Sequence, residues 1–503
     1  MKPQKGFCKK IVTLHRNSPN DYLFKIMTEV IRQTLNDKAW ARWLALILIA
    51  SMMFFAYMFV DVMSPLQALV EKAPLNWSAS AFGNYAGAEY MLNVFGFLII
   101  AGIILDKMGV RFTGTLSAAV MVTGAVIKLY AVSEMFAGSA FDQWLGSWWT
   151  EMPGSAKLAA FGFMIFGCGC EMAGITVSKA IAKWFEGKEM ALAMGIEMAI
   201  ARLGVFAVLS ISPRLSDWWG AGNASVVPPV AFCTALLLIG LINYIIFTFM
   251  DVRLDKQLGA NATGDGGEEE FKLSDVGGLF KSRLFWIIAL LCVLYYSAIF
   301  PFQRFGTNML QCNLGISDVA AADILRWFPI GALLLTPALG FFLDKVGRGA
   351  TMLIVGSVLL ICCHLVFALV LPAVPSEGLA LATVIVLGVS FSLVPAALWP
   401  SVPKVMDARY LGSAYSLIFW VQNIGLFGVP ILFGKILVAS NEGVDPSQYD
   451  YTNPMLMFAG FGTAALIFAL WLKVLNSKHG YGLESPNIKS TSAEEAEMLS
   501  AEE

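Results

Sequence analysis

A chain of 503 residues that is 57% hydrophobic and only 14% charged cannot hide its apolar surface in one water-soluble core, because soluble domains carry about a quarter charged residues. A formal net charge of -2 excludes a general attraction to nucleic acid. The eight cysteines are scattered and fall mostly inside apolar runs, which excludes a disulfide framework; only Cys312 is expected in an outer loop.

In chain order, the first 39 residues are polar and basic and lack the early apolar core of a cleavable signal. Within them Leu23, Met27, Val30 and Ile31 share one helical face over 22–35, which reads either as a cytoplasmic surface helix or as a loose tail. Crossing a bilayer takes roughly 20 apolar residues. Stretches of that kind occupy 43–69, 81–105, 112–132, 157–179, 190–211, 226–250, 284–305, 320–343, 350–371, 379–400, 411–437 and 455–475. They are continuously apolar and too long for membrane strands.

The expected fold is therefore an all-α membrane protein of twelve transmembrane helices. An N-terminal tail (1–39) precedes a six-helix bundle (40–250), a cytoplasmic linker (251–283), a second six-helix bundle (284–475) and a disordered cytoplasmic tail (476–503). The linker assignment rests on the run Gly-Ala-Asn-Ala-Thr-Gly-Asp-Gly-Gly and three glutamates that follow it. Lysine and arginine concentrate in the tail and in the loops near Lys107 and Arg111, Lys183 and Lys188, Arg253 to Arg283, Lys345 and Arg348, and Lys404 and Arg409. The opposite loops hold little beyond Lys72 and Arg214, so both termini are expected in the cytoplasm. Trp144, Trp148 and Trp149 follow the third span and suit the membrane–water interface.

The halves echo each other. Gly102-Ile-Ile-Leu-Asp106-Lys107-Met-Gly109 follows the second span, and Gly340-Phe-Phe-Leu-Asp344-Lys345-Val-Gly347 follows the eighth, at an offset of 238 residues. Ala193 and Gly204 match Ala414 and Gly425 at an offset of 221. Such self-similarity argues for duplication into parallel six-helix repeats. The repeated element, with Asp106, Lys107, Arg111, Asp344, Lys345 and Arg348, reads as a cytoplasmic gate: an acid that pairs with basic loop residues or caps a helix.

Ionisable residues inside spans default to functional candidates. Glu171 lies fifteen residues before the turn at Glu186 and Arg202 sixteen after it, so an antiparallel hairpin carries both to one depth, roughly 15 Å in. They form either a structural ion pair or a clamp, with Glu171 on a substrate ammonium and Arg202 on its carboxylate. Glu89 and Lys128 share a height nearer the outside and read as a structural pair, or Lys128 as a snorkelling lysine. Asp61, Tyr57, Tyr295, Tyr296, Trp399 and Asn423 are further cavity candidates, and Glu197, with Lys179 as its candidate partner, is a candidate proton site. His364 reads as packing, and no metal-ligand spacing or cofactor motif occurs.

Several segments together are similar to one family. They are Tyr57-Met-Phe-Val-Asp61, Lys183-Trp-Phe-Glu-Gly-Lys-Glu189, Ala199-Ile-Ala-Arg202-Leu-Gly204, Tyr295-Tyr-Ser-Ala-Ile-Phe-Pro301-Phe, Ala397-Leu-Trp-Pro400, and Leu411-Gly-Ser-Ala-Tyr415 through Gln422-Asn-Ile-Gly425. The membrane region resembles the lysosomal dipeptide transporter branch of the major facilitator superfamily and its prokaryotic relatives; the two tails lie outside the likeness. The resemblance implies passive uniport of dipeptides or small zwitterions, not enzymatic activity, with a fourth-helix glutamate and a fifth-helix arginine on the peptide ends; Glu171 and Arg202 match them. Glu197 departs from an expected amide, which keeps a proton-coupled carrier of another small organic anion open, as a non-transporting sensor also stays open. The expected setting is a monomer in a lipid bilayer, with a bacterial inner or plasma membrane favoured over a lysosomal one. A lysosomal home would imply a glycosylated accessory membrane protein. Asn76-Trp-Ser78 is a sequon in an outer loop.

Overall fold

The computed structural model describes residues 34–186, 188–219, 224–258, 273–406 and 411–486. The expected surface helix at 22–35 lies almost wholly outside them, as does Arg409. Among the described residues the chain is helical throughout, with no strand. The N-terminal half holds α1 (Ala39–Asp61, continued by short turns to Val70), α2 (Ala79–Ala88), α3 (Met91–Val94), α4 (Phe97–Ala131), α5 (Ala140–Gly146), α6 (Gly154–Trp184), α7 (Met190–Trp219) and α8 (Val227–Leu258). The C-terminal half, after α9 (Leu273–Lys281), holds α10 (Arg283–Leu314), α11 (Asp318–Leu325), α12 (Trp327–Lys345), α13 (Gly349–Leu365), α14 (Glu377–Val405), α15 (Leu411–Ser440) and α16 (Thr452–His479).

Eleven of the described helices are long and apolar enough to cross a membrane. The expected span 81–105 is not among them as one piece. The chain breaks after Ala88 and again at Gly96, whose φ of 89° ends the regular helix. Asn84, Glu89 and Asn93 punctuate this stretch, so it packs as short segments against protein rather than as one lipid-facing rod. The second crossing is thus α2, α3 and the first arm of α4; Gly109, at φ 73° and ψ 173°, turns the chain into the third. Its repeat mate Gly347 has φ 79°. Both positions need the left-handed freedom that glycine alone offers cheaply.

The expected linker is shorter than its 251–283 range, because α8 continues to Leu258 and α9 begins at Leu273. The expected tail from 476 is helical to His479, and residues 480–486 fold back onto the loop before α13. Arg348 N–H donates to Glu484 O at 3.0 Å, Gly349 N–H to Leu483 O at 2.9 Å, and Thr351 N–H to the Glu484 carboxylate at 2.9 Å. Cys312 sits in the last turn of α10 rather than in a loop.

The halves meet where α2 packs on α15 and, less extensively, where α7 meets α12 and α11. Glycines permit the first contact: a Cβ on Gly83 would lie 2.3 Å from Pro430 O, and one on Gly434 2.4 Å from Ala79 O.

Candidate substrate site

Glu171 and Arg202 lie about 20 and 18 Å along α6 and α7 from the helix ends at Trp184 and Met190, so the hairpin does bring them to one height. Both are partly exposed, and neither side chain makes an ion pair or hydrogen bond with a described residue. The structural pair between them is not formed. The Arg202 guanidinium lies over the Phe391 ring of α14, 5.0 Å from its centroid, and so reaches the other half. Tyr57 on α1 lies within electrostatic reach of Arg202, Glu171 and Glu197.

The C-terminal half faces this charge with rings. Tyr296 is within reach of Arg202, stacks on Phe300 at 5.6 Å and accepts a hydrogen bond from Trp399 Nε1 at 3.3 Å. Trp399 stacks on Phe419 at 4.6 Å. Asn423 is buried; its amide donates to Phe419 O at 2.9 Å, and its Oδ1 has no partner. Chemically, the N-terminal half offers both signs of charge here, and the C-terminal half brings ring faces to Arg202.

Other expected members lie elsewhere. Tyr295 is fully buried inside the C-terminal half, its hydroxyl 2.7 Å from Ser390 Oγ. Asp61 does not face an open space. It accepts from Gln303 at 2.5 Å and Ser64 at 2.9 Å and pairs with Arg304 at 3.0 Å. Arg304 also binds the Glu89 carboxylate and Val60 O. Glu89 therefore pairs with Arg304 of the opposite half, not with Lys128. Arg304 went unassigned in the sequence because it stands at the edge of the expected span 284–305, whereas α10 runs on to Leu314. An arginine in an apolar run was the available signal. A small cavity lined by Ala86, Tyr90, Phe300, Arg304, Leu426 and Pro430 lies beside it, between the halves.

Most of the expected gate residues have contacts within their own halves. Asp106 accepts from Lys179 at 2.7 Å, which removes Lys179 from Glu197. Arg111 and Lys183 both pair with Asp255, at 2.8 and 2.6 Å, and with the buried Asp251, which also accepts from Trp184 Nε1 at 2.8 Å. Lys107 is exposed. Lys345 lies over the Phe341 ring, Asp344 is within reach of Lys404, and Arg348 takes φ 66° against residues 483–484. Outside the spans, Asp37 is held down to about 2 by its Thr34 hydrogen bond, and secondarily by Lys188. His364 is packed, with Nε2 3.1 Å from Ala298 O and rings of Phe302, Phe367 and Phe458 around it. No group of three His, Cys, Asp or Glu suited to a metal occurs among the described residues.

The sequence model described as Major Facilitator Superfamily matches residues 46–430. The lysosomal dipeptide transporter MFSD1 of Danio rerio is 29% identical over 403 residues, covering 79% of this chain and 80% of its own. That of Pongo abelii is 26% identical over 410 residues, with 79% and 80% covered. Among solved structures, the nucleoside transporter NupG (D323A mutant) superposes with a TM-score of 0.64 at 14% identity, covering 85% of this chain and 99% of that one. The paired helical halves and the sequence likenesses converge: the chain belongs to the Major Facilitator Superfamily and is a multi-pass membrane transporter, not an enzyme.

Proposed function

We propose that this transporter carries dipeptides by alternating-access uniport, with Glu171 binding the peptide ammonium and Arg202 its carboxylate. The observation that carries the reading is the pair itself: opposite charges at one height, on one half, making no ion pair or hydrogen bond with a described residue or with each other, with only the Phe391 ring against Arg202. An unpaired charge inside a membrane is expensive, so a zwitterion that supplies both counter-charges is the ligand the site lacks. Bidentate capture by a guanidinium suits a carboxylate. Gripping the two ends common to all dipeptides leaves the side chains to the ring-lined wall. The name carried by the MFSD1 relatives agrees with this substrate class.

In this reading both termini face the cytoplasm, and the end bearing Lys72 and Tyr449, here the far end, faces the lumen or exterior. Among the described residues, bonds between the halves run from mid-membrane to that end, which supports reading the conformation as cytoplasm-facing. Gate residues at the opposite end, the latch end, stiffen each half for the rocking motion. The relatives' name points to a lysosomal membrane, against the bacterial membrane favoured from sequence. A second reading, proton coupling, rests on Glu197, which is partly exposed, unpaired and within reach of Arg202.

Uptake of a labelled dipeptide into liposomes containing the purified chain tests both. Uniport fills the liposomes until internal and external concentrations match, with or without a pH gradient. Accumulation beyond equality that a protonophore abolishes contradicts uniport and makes Glu197→Gln the next substitution.

A further inference from the structure

Lys128 on α4 is fully buried and its ammonium has no hydrogen-bond partner. It lies over three rings from three other helices: Phe59 of α1 at 4.2 Å, Phe163 of α6 at 4.6 Å and Tyr85 of α2 at 5.0 Å. Arg304 lies over the same Phe163 ring, at 5.5 Å. Two cations thus share one ring, yet only Arg304 holds the carboxylates of Asp61 and Glu89. Ring faces attract a cation but replace a lost counter-ion only in part.

The arrangement becomes intelligible when the four charges are assigned to halves. Asp61, Glu89 and Lys128 belong to the N-terminal half, and Arg304 alone belongs to the C-terminal half. With the far end closed the cluster is neutral. When the halves part there, Arg304 leaves and two carboxylates stay behind without it. Lys128 is the cation of this cluster that stays with them, and it shares the height of Glu89. We propose that Lys128 is a counter-charge held in reserve: Glu89 passes from Arg304 to Lys128 as the far end opens, which lowers the free-energy cost of the open state. Lys128 is then a gating residue for transport rather than a structural one. The inference rests on the rocking motion proposed above.

Spin labels at Ala73 and Val444, exposed positions beside the Lys72–Asp445 pair that joins the halves at 3.9 Å, report far-end opening in the reconstituted full chain, with exposed Cys362 replaced by Ser. Alanyl-alanine is the added substrate. In the parent, two distances are expected, with substrate shifting their populations. Lys128→Met should lower the open fraction by about tenfold, a shift typical of a coupled site. In a Glu89→Gln background the same change should alter it less than about twofold, because the carboxylate to be served is gone. If Lys128→Met alone does not fold, the comparison of Glu89→Gln with Glu89→Gln/Lys128→Met carries the test, since that double variant keeps one acid against one base. An unchanged open fraction in Lys128→Met, or an equal loss in both backgrounds, overturns the reserve role while leaving the rocking motion standing. A single distance in the parent under all conditions overturns the rocking motion and the inference together.

Discussion

At the far end, Arg304 crosses from α10 to Asp61 and Glu89, Arg214 crosses from α7 to Asp323 at 2.6 Å, and Tyr449 crosses to Glu71 at 2.7 Å. At the latch end, Asp106 pairs with Lys179, and Arg111 and Lys183 share Asp251 and Asp255, all inside the N-terminal half; residues 483–484 bind the loop before α13 inside the other. Bonds of the first kind must break for the halves to part. Bonds of the second kind make each half a rigid body that can move as one, which is what a rocking transition requires. On the proposed rocking motion, the same residue types are a seal at one end and stiffening at the other, and their effects when removed should differ accordingly.

The largest effect is expected at the seal. Arg304→Ala leaves two buried carboxylates without their cation and should cost about 3–5 kcal/mol of the closed state, read as a lowered thermal transition in detergent and a longer distance between labels at 73 and 444. A variant as stable and as closed as the parent would remove Arg304 from the seal. Next is pH. Burial pushes the Glu71 carboxyl up to about 7, against smaller lowering effects of its Tyr449 and Gln67 hydrogen bonds. Closure takes up a proton there, because the group reverts toward about 4.3 when solvated. Closure is therefore favoured below about 4.3 and weakens as pH rises toward 7, by at most about tenfold per pH unit. Glu71→Gln should flatten that profile; an unaltered profile places the titration elsewhere.

Smaller effects sharpen the contrast. Tyr295→Phe removes one buried hydrogen bond to Ser390 and should cost about 1 kcal/mol of stability with dipeptide affinity unchanged; a lost affinity would return Tyr295 to the cavity wall. Asp106→Asn breaks an exposed pair worth less than about 1 kcal/mol. It should change transport rate while leaving equilibrium affinity nearly intact, and an affinity collapse at unchanged conformational equilibrium would contradict its placement in the gate.

The sequence makes most of the fold legible because bilayer length and lysine–arginine sidedness act on single segments. It misplaces what depends on where a helix truly ends. The span ending at 305 hides Arg304, and a linker beginning at 251 hides Asp251 and Asp255, which are the last turns of α8. Depth along helices matches Glu171 with Arg202 and likewise suggests Glu89 with Lys128, where Arg304 of the other half takes the carboxylate instead, because height says nothing about a competitor from the other half. Tyr295 and Tyr296 are adjacent in sequence and face different ways around α10, so only the second is near the charges.

The central claim is that Glu171 and Arg202 bind the two ends of a zwitterion. Equilibrium binding of a free dipeptide, its N-acetyl form and its C-terminal amide to the purified chain and to Arg202→Ala tests it most directly. Each block should cost the free chain about 2–5 kcal/mol, the loss seen when one partner of a buried charge pair is removed, and Arg202→Ala should no longer distinguish the free dipeptide from its amide. Equal binding of all three ligands to a folded parent chain would contradict the clamp.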